Sequence, residues 1–216
     1  MELKGKKINF LGDSITEGCG TDYRFDEMLA ERDGIIARNY GIGGTRLAIK
    51  TRPSENPNFD RYYDSRIEEM DPDADVIVVF GGTNDFGHGD APLGTMSDRT
   101  ADTFYGAMHC TLIHLKTKYP TAEIVFITPL HRLNEDDPLG DGFKPEGTEA
   151  TLKMYVDIIR EVCEYYSVPV LDLWSSSGIQ PKIPAVQELY MPDGLHPCRA
   201  GHEIIASRLR ALLKAL

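Results

Sequence analysis

The chain has 216 residues, 41% of them apolar and 26% charged, with a formal net charge of −11. That length and apolar content suffice for one domain, residues 1–216, with a substantial core, and they argue against a disordered chain. The acidity, with no long run of Lys or Arg, argues against nucleic acid and anionic membrane as partners, since both need concentrated positive charge. The first apolar stretch, Ile8-Asn9-Phe10-Leu11, is shorter than the ~7–15 residues of a signal-peptide core. No stretch approaches the ~18 apolar residues of a membrane helix, so a cytoplasmic protein with no membrane insertion is expected. Cys19, Cys110, Cys163 and Cys198 form no Cys-x-x-Cys pair, and free thiols are expected.

In chain order, a strand is predicted over 7–11, followed by a helix over 22–32 with Phe25, Met28 and Leu29 on one face. A second strand covers 35–40, and a helix over 59–70 gathers Tyr62, Tyr63, Ile67 and Met70. The run Val76-Ile77-Val78-Val79-Phe80 is apolar without alternation, the mark of a parallel strand buried on both faces. A long loop over 86–98 leads to a helix over 100–118, with Phe104, Met108, Leu112 and Leu115 at helical spacing. A strand over 123–128 repeats the fully apolar pattern. The loop over 130–145 is rich in Asp, Gly and Pro. A helix over 148–166, a strand over 169–173 and a helix over 199–216 complete the chain. Alternation of strand and helix throughout predicts an α/β fold with a parallel sheet. The two long loops are expected to wall a binding site.

Ligands of open α/β sheets bind beyond the carboxyl ends of the strands. Those ends carry Gly12-Asp13-Ser14, Gly41-Ile42-Gly43-Gly44, Gly81-Gly82-Thr83-Asn84-Asp85 and Pro129-Leu130-His131. A serine after a strand is more often a helix N-cap than a nucleophile, and Ser14 is well placed to cap a short following helix. A nucleophile needs a base, and the base an orienter. Asp193-Gly194-Leu195-His196-Pro197 offers both on one loop. The Asn84 amide is a candidate donor to a developing oxyanion, although Asn and Gly are also good turn residues. The Gly44 backbone N–H is a second candidate donor. Asp13, Asp85, Phe86 and His88, beside these tips, are weaker candidates for touching substrate.

Taken together, these segments resemble the SGNH hydrolases, also called GDSL esterases and lipases. The four blocks are Phe10-Leu11-Gly12-Asp13-Ser14-Ile15-Thr16-Glu17-Gly18, Asn39-Tyr40-Gly41-Ile42-Gly43-Gly44, Gly81-Gly82-Thr83-Asn84-Asp85 and Asp193-Gly194-Leu195-His196-Pro197. Ile15 stands where the family name has leucine. The resemblance implies a flavodoxin-like three-layer α/β/α sandwich with a five-stranded parallel sheet. It implies Ser14 as nucleophile, His196 as general base and Asp193 as orienter. An oxyanion hole of the Ser14 N–H, the Gly44 N–H and the Asn84 side chain follows from it, with no cofactor and no metal.

Other signatures fail at particular residues. Thr16 occupies the last glycine position of Gly-x-Ser-x-Gly. Arg46 occupies the last glycine position of a dinucleotide fingerprint that would begin at Gly41. Asp71-Pro72-Asp73-Ala74-Asp75 runs straight into a buried strand where a calcium loop needs its glycine. The histidines find no ligand-spaced partners. A flavin-binding flavodoxin-like module, its phosphate held by the hydroxyl- and glycine-rich loop after the first strand, leaves Asn84 and Asp193–His196 without a task. The expected partner is a small-molecule ester. The polar 86–98 loop, with His88, Asp90 and Asp98, favours a small-acyl ester of a polar alcohol such as an O-acetylated carbohydrate. A lysophospholipase or thioesterase is the alternative within the family.

Overall fold

The computed structural model describes every residue except 143, 145, 146 and 148. Pro145, the expected end of the second long loop, and Thr148, the expected start of the fourth helix, lie outside the described residues. The strands are β1 (Lys7–Gly12), β2 (Ile36–Gly41), β3 (Val76–Phe80), β4 (Glu123–Ile127) and β5 (Val170–Leu171). All neighbouring strands pair in parallel, in the order β2-β1-β3-β4-β5. The apolar runs divide by the two-residue period of a strand. Ile8, Phe10, Val76, Val78, Phe80, Val125 and Ile127 face one core. Leu11, Ile77, Val79, Ile124 and Phe126 face the other.

The first core is closed by α2 (Phe25–Asp33) and α9 (Arg199–Ala215), and the second by α5 (Phe104–Lys118) and α6 (Leu152–Tyr165). This is the three-layer α/β/α, flavodoxin-like sandwich. The chain winds from β1 outward to β2, then returns past β1 to β3, β4 and β5. The reversal leaves a crevice beyond the carboxyl ends of β1 and β3, where ligands of such sheets bind.

Several elements depart from sequence expectation for local reasons. Helix α2 starts at Phe25 rather than residue 22, because the Arg24 N–H donates to the Glu27 carboxylate at 2.8 Å and closes the first turn there. Helix α5 starts at Phe104 because the Thr103 hydroxyl accepts from the Gly106 N–H at 3.1 Å. The expected helix over 59–70 is broken into a 3₁₀ turn (Pro57–Asp60), α3 (Tyr63–Arg66) and a second 3₁₀ turn (Ile67–Glu69). The break at Tyr62, which is extended, turns Tyr63 and Arg66 inward, where both are buried. Strand β5 is short because Asp172 already caps α7 (Leu173–Ser176), accepting from the Ser175 N–H at 3.2 Å. Three further short helices are α1 (Ser14–Glu17), α4 (Thr83–Gly87) and α8 (Pro184–Tyr190). Among the described residues no helix is long and apolar enough to cross a membrane.

Candidate active site

Helix α1 begins directly at the end of β1. Its N-cap is Asp13, whose carboxylate accepts from the Ile15 N–H at 3.0 Å. Ser14 therefore does not spend its hydroxyl on capping, as a reading of Ser14 alone would have it. It sits in the first turn, and its Oγ lies 3.0 Å from His196 Nε2. The imidazole Nδ1 is 2.7 Å from Asp193 Oδ2. Asp193 Oδ1 accepts from the His196 N–H at 2.6 Å and the Leu195 N–H at 2.8 Å. Burial opposes ionisation of Asp193, but these two backbone donors and the imidazole outweigh it and hold its pKa below the ordinary value. An ionised carboxylate only accepts, so Nδ1 is the donor to it, and in the neutral imidazole Nε2 is then the acceptor facing the Ser14 hydroxyl.

The strand ends are fastened from beneath. The Arg66 guanidinium donates to the Gly12 carbonyl at 3.0 Å, the Tyr40 carbonyl at 3.0 Å and the Thr45 hydroxyl at 3.2 Å, joining the ends of β1 and β2 to the loop that follows β2. Tyr63 O–H donates to the Phe80 carbonyl at 2.7 Å and adds β3. The Asn39 amide donates to the Thr16 carbonyl at 2.7 Å and fixes α1 against β2.

Gly44 has φ +74°, a region that disfavours side chains, and a Cβ there would lie 2.8 Å from the Phe59 ring. Its carbonyl accepts from Arg46 at 3.1 Å. The Arg46 guanidinium, 2% exposed, also donates to the Phe59 carbonyl at 2.8 Å and meets Asp60 at 3.0 Å and His88 Nδ1 at 3.0 Å. Asn84, buried in α4, donates one amide hydrogen to the Thr45 carbonyl at 3.0 Å, which leaves its second. Across the site, Leu133 from the loop after β4 lies over Gly194, its N–H donating to the Gly194 carbonyl at 3.0 Å.

Ser14, His196 and Asp193 are thus brought together, with Gly44 and Asn84 joined through Thr45 and Arg46. Three of the weaker candidates are corrected. Phe86 is fully buried and packs edge-on against Tyr155 in the core, so it presents nothing to a ligand. Asp85 is buried and occupied by the Leu47 and Ala48 N–H groups at 3.0 and 2.8 Å. Burial raises its pKa above the ordinary value. Asp13 is buried beneath α1, and burial pushes its carboxyl up to about 6. His88 lines a cavity. Burial first, and then the Arg46 charge, press its pKa down to about 4, so it is neutral at pH 7. Among the described residues no group of three or more His, Cys, Asp or Glu is placed to hold a metal ion.

Sequence reasoning missed Arg46, Phe59, Tyr63, Arg66 and Leu133. Only Arg46 carried a signal, as a cation standing two residues beyond a glycine-rich tip.

The sequence pattern of the GDSL-like lipase/acylhydrolase family matches residues 10–204. A GDSL lipase of Mycobacterium tuberculosis is 28% identical over 227 residues, covering 99% of this chain and 84% of its own. A crystal structure of a Lactobacillus plantarum protein superposes with a TM-score of 0.84 at 33% identity, over 99% of this chain and 98% of that one. An acetyl xylan esterase shares the fold, with a TM-score of 0.62 at 17% identity over 95% and 98%.

Proposed function

Because this chain belongs to the GDSL-like lipase/acylhydrolase family and is an ester hydrolase, we propose that Ser14 is its nucleophile, His196 its general base and Asp193 the orienter. The observation that carries this reading is the hydrogen-bonded line from Ser14 Oγ through the imidazole to Asp193, at 3.0 and 2.7 Å. Both spacings fall within the reach that proton transfer needs.

Ser14 Oγ attacks the ester carbonyl while His196 Nε2 takes its proton. Asp193 keeps the imidazole in the tautomer that leaves Nε2 unprotonated and stabilises the imidazolium that forms. The carbonyl oxygen becomes an oxyanion, which the Ser14 N–H, the Gly44 N–H and the second Asn84 amide hydrogen stabilise. No described residue accepts from either backbone N–H, which supports their assignment. The intermediate collapses, His196 gives its proton to the departing alcohol, and an acyl group remains on Ser14. Water then attacks with the same base, and the acid is released.

The substrate is a small-acyl ester of a polar alcohol, with O-acetylated carbohydrate as the favoured class. The 86–98 loop supports this, because its apolar Phe86 is withdrawn into the core and the polar His88 is left at the wall. The structural likeness to an acetyl xylan esterase agrees with it.

The test is turnover of p-nitrophenyl acetate, octanoate and palmitate by the protein and by Ser14→Ala. The acetate is expected to be the best substrate, and Ser14→Ala to remove nearly all turnover while the protein stays folded. A preference for the palmitate would overturn the small-acyl assignment. Undiminished turnover by Ser14→Ala would overturn the mechanism.

A further inference from the structure

Next to Gly44 the surface opens into a cavity of about 700 Å³, within the size range of small-molecule sites. Phe59 is the wall it shares with the candidate oxyanion hole, since the same ring lies against Gly44. His88 forms another wall and is tied to Gly44 through Arg46. A substrate with its carbonyl on Ser14 therefore has this cavity within reach of one of its two halves.

The lining reverses the character of the molecule. The chain carries a net charge of −11, yet Lys50, Arg52 and Lys144 line the cavity and Glu55 is the one carboxylate among its described lining residues. Arg52 is paired with Asp90 at 3.3 Å. The other two cations meet neutral acceptors. Lys50 donates to the Ser54 hydroxyl at 3.3 Å, and Lys144 to the Asp85 carbonyl at 2.6 Å and the Tyr155 hydroxyl at 2.5 Å. The Asp85 and Asp90 carboxylates act on Lys144 only from a distance, and burial lowers its pKa to about 8, which leaves it mostly charged at pH 7. The positive field reaches His88, where Lys50 and Arg132 add to Arg46 in disfavouring a second cation, against Asp141. A concave surface focuses such a field and draws in ions of opposite sign, which an acidic protein otherwise repels.

We propose that this cavity is a subsite for an anionic group of the substrate, a carboxylate or phosphate carried on the ester and held by Lys50 and Lys144. This rests on the ester-hydrolase reading and narrows it to esters bearing negative charge. Two matched pairs of esters test it and separate the two halves. On the acyl side the pair is 4-nitrophenyl hydrogen glutarate against 4-nitrophenyl valerate. On the alcohol side it is 4-acetoxybenzoate against 4-acetoxybenzamide.

In one pair, the charged member is expected to have kcat/KM roughly tenfold above its neutral partner, the equivalent of one good charged contact. That ratio should fall toward one as NaCl rises to 0.5 M, where the Debye length shrinks to about 4 Å. Lys50→Glu, at a half-buried position, should bring the ratio below one, and Lys144→Gln should lower it as well. Should Lys144→Gln fail to fold, Lys50→Glu and the salt series still decide. Ratios near one in both pairs, with the neutral esters turned over, overturn the subsite and leave the ester-hydrolase reading intact. A high ratio that neither variant changes also overturns it. Failure of every ester in both pairs would instead strike the underlying ester-hydrolase reading.

Discussion

The behaviour of Ser14 is decided by its neighbour. Asp13 takes the cap of α1, so the serine hydroxyl is left for His196. Asn84 shows the same division of labour within one side chain, with one amide hydrogen holding Thr45 and one assigned to the oxyanion. Asn84→Ala should therefore lower kcat about 10²–10³-fold, with KM for p-nitrophenyl acetate little changed. A loss below tenfold in steady-state assays would reduce Asn84 to a brace for Thr45. The residues proposed to react were legible in sequence because each lies on a short, local signature: a glycine-rich tip after a strand, or Asp and His three residues apart. Their supports were not. Arg66 reaches Gly12 across 54 positions, and nothing near either residue in the sequence announces the meeting. Asp85 and Phe86 misled for a related reason, since adjacency to Asn84 in the chain says nothing about which side of α4 a side chain occupies.

At the scale of elements, the placement of Ser14 depends on how closely α1 approaches β1. Gly12 is the point of contact. A Cβ there would collide with the Thr16 side chain and lie 3.0 Å from the Phe80 carbonyl oxygen. Gly12→Ala should push α1 away from the sheet and cost on the order of 10² in kcat, the effect of a displacement near 1 Å at reacting atoms, with the circular dichroism spectrum preserved. A kcat within twofold of the parent would show that α1 is not held this tightly. The long elements were readable because their periodicity extends over many residues. Strands β1 to β4 and helix α9 lie close to expectation, and α5 and α6 end close to where expected. Helices α1, α4, α7 and α8 have four to seven residues, too few to display a helical period. The segment over 59–70 reads as one helix because its apolar spacing fits one, whereas Tyr63 and Arg66 are drawn inward by strand-end carbonyls.

Across the whole molecule, burial of titratable groups sets the response to acid. His202, stacked on Phe25 and fully buried, has its pKa pressed down to about 4, chiefly by burial, and His88 behaves alike. Each binds its proton less readily folded than unfolded. The stability their neutral forms contribute is complete above the unfolded value of 6.5 and is lost as pH falls toward about 4. For His202 alone that loss is about 3 kcal/mol at one pKa unit per 1.36 kcal/mol. Asp13 acts in the opposite sense. Its pKa is raised from 3.8 to about 6, so its favourable share is complete below 3.8 and is lost as pH rises through 6. Asp85, also raised by burial, adds to Asp13, while Asp33 and Asp193, held low, add to the two histidines, so urea midpoints should fall between pH 6.5 and 4. His202→Asn, which keeps an acceptor for the Phe25 N–H now given to Nδ1 at 3.2 Å, should flatten that fall. An unchanged slope in the variant would remove His202 from this account.

The sandwich, its switch point and its buried charges converge on one atom, Ser14 Oγ. A fluorophosphonate probe followed by peptide mass spectrometry asks directly whether that atom is the nucleophile. One adduct per chain is expected, on the peptide containing Ser14, with its rate of formation sharply reduced in His196→Ala. Labelling at any other residue, or labelling of Ser14 that does not depend on His196, would contradict the assignment.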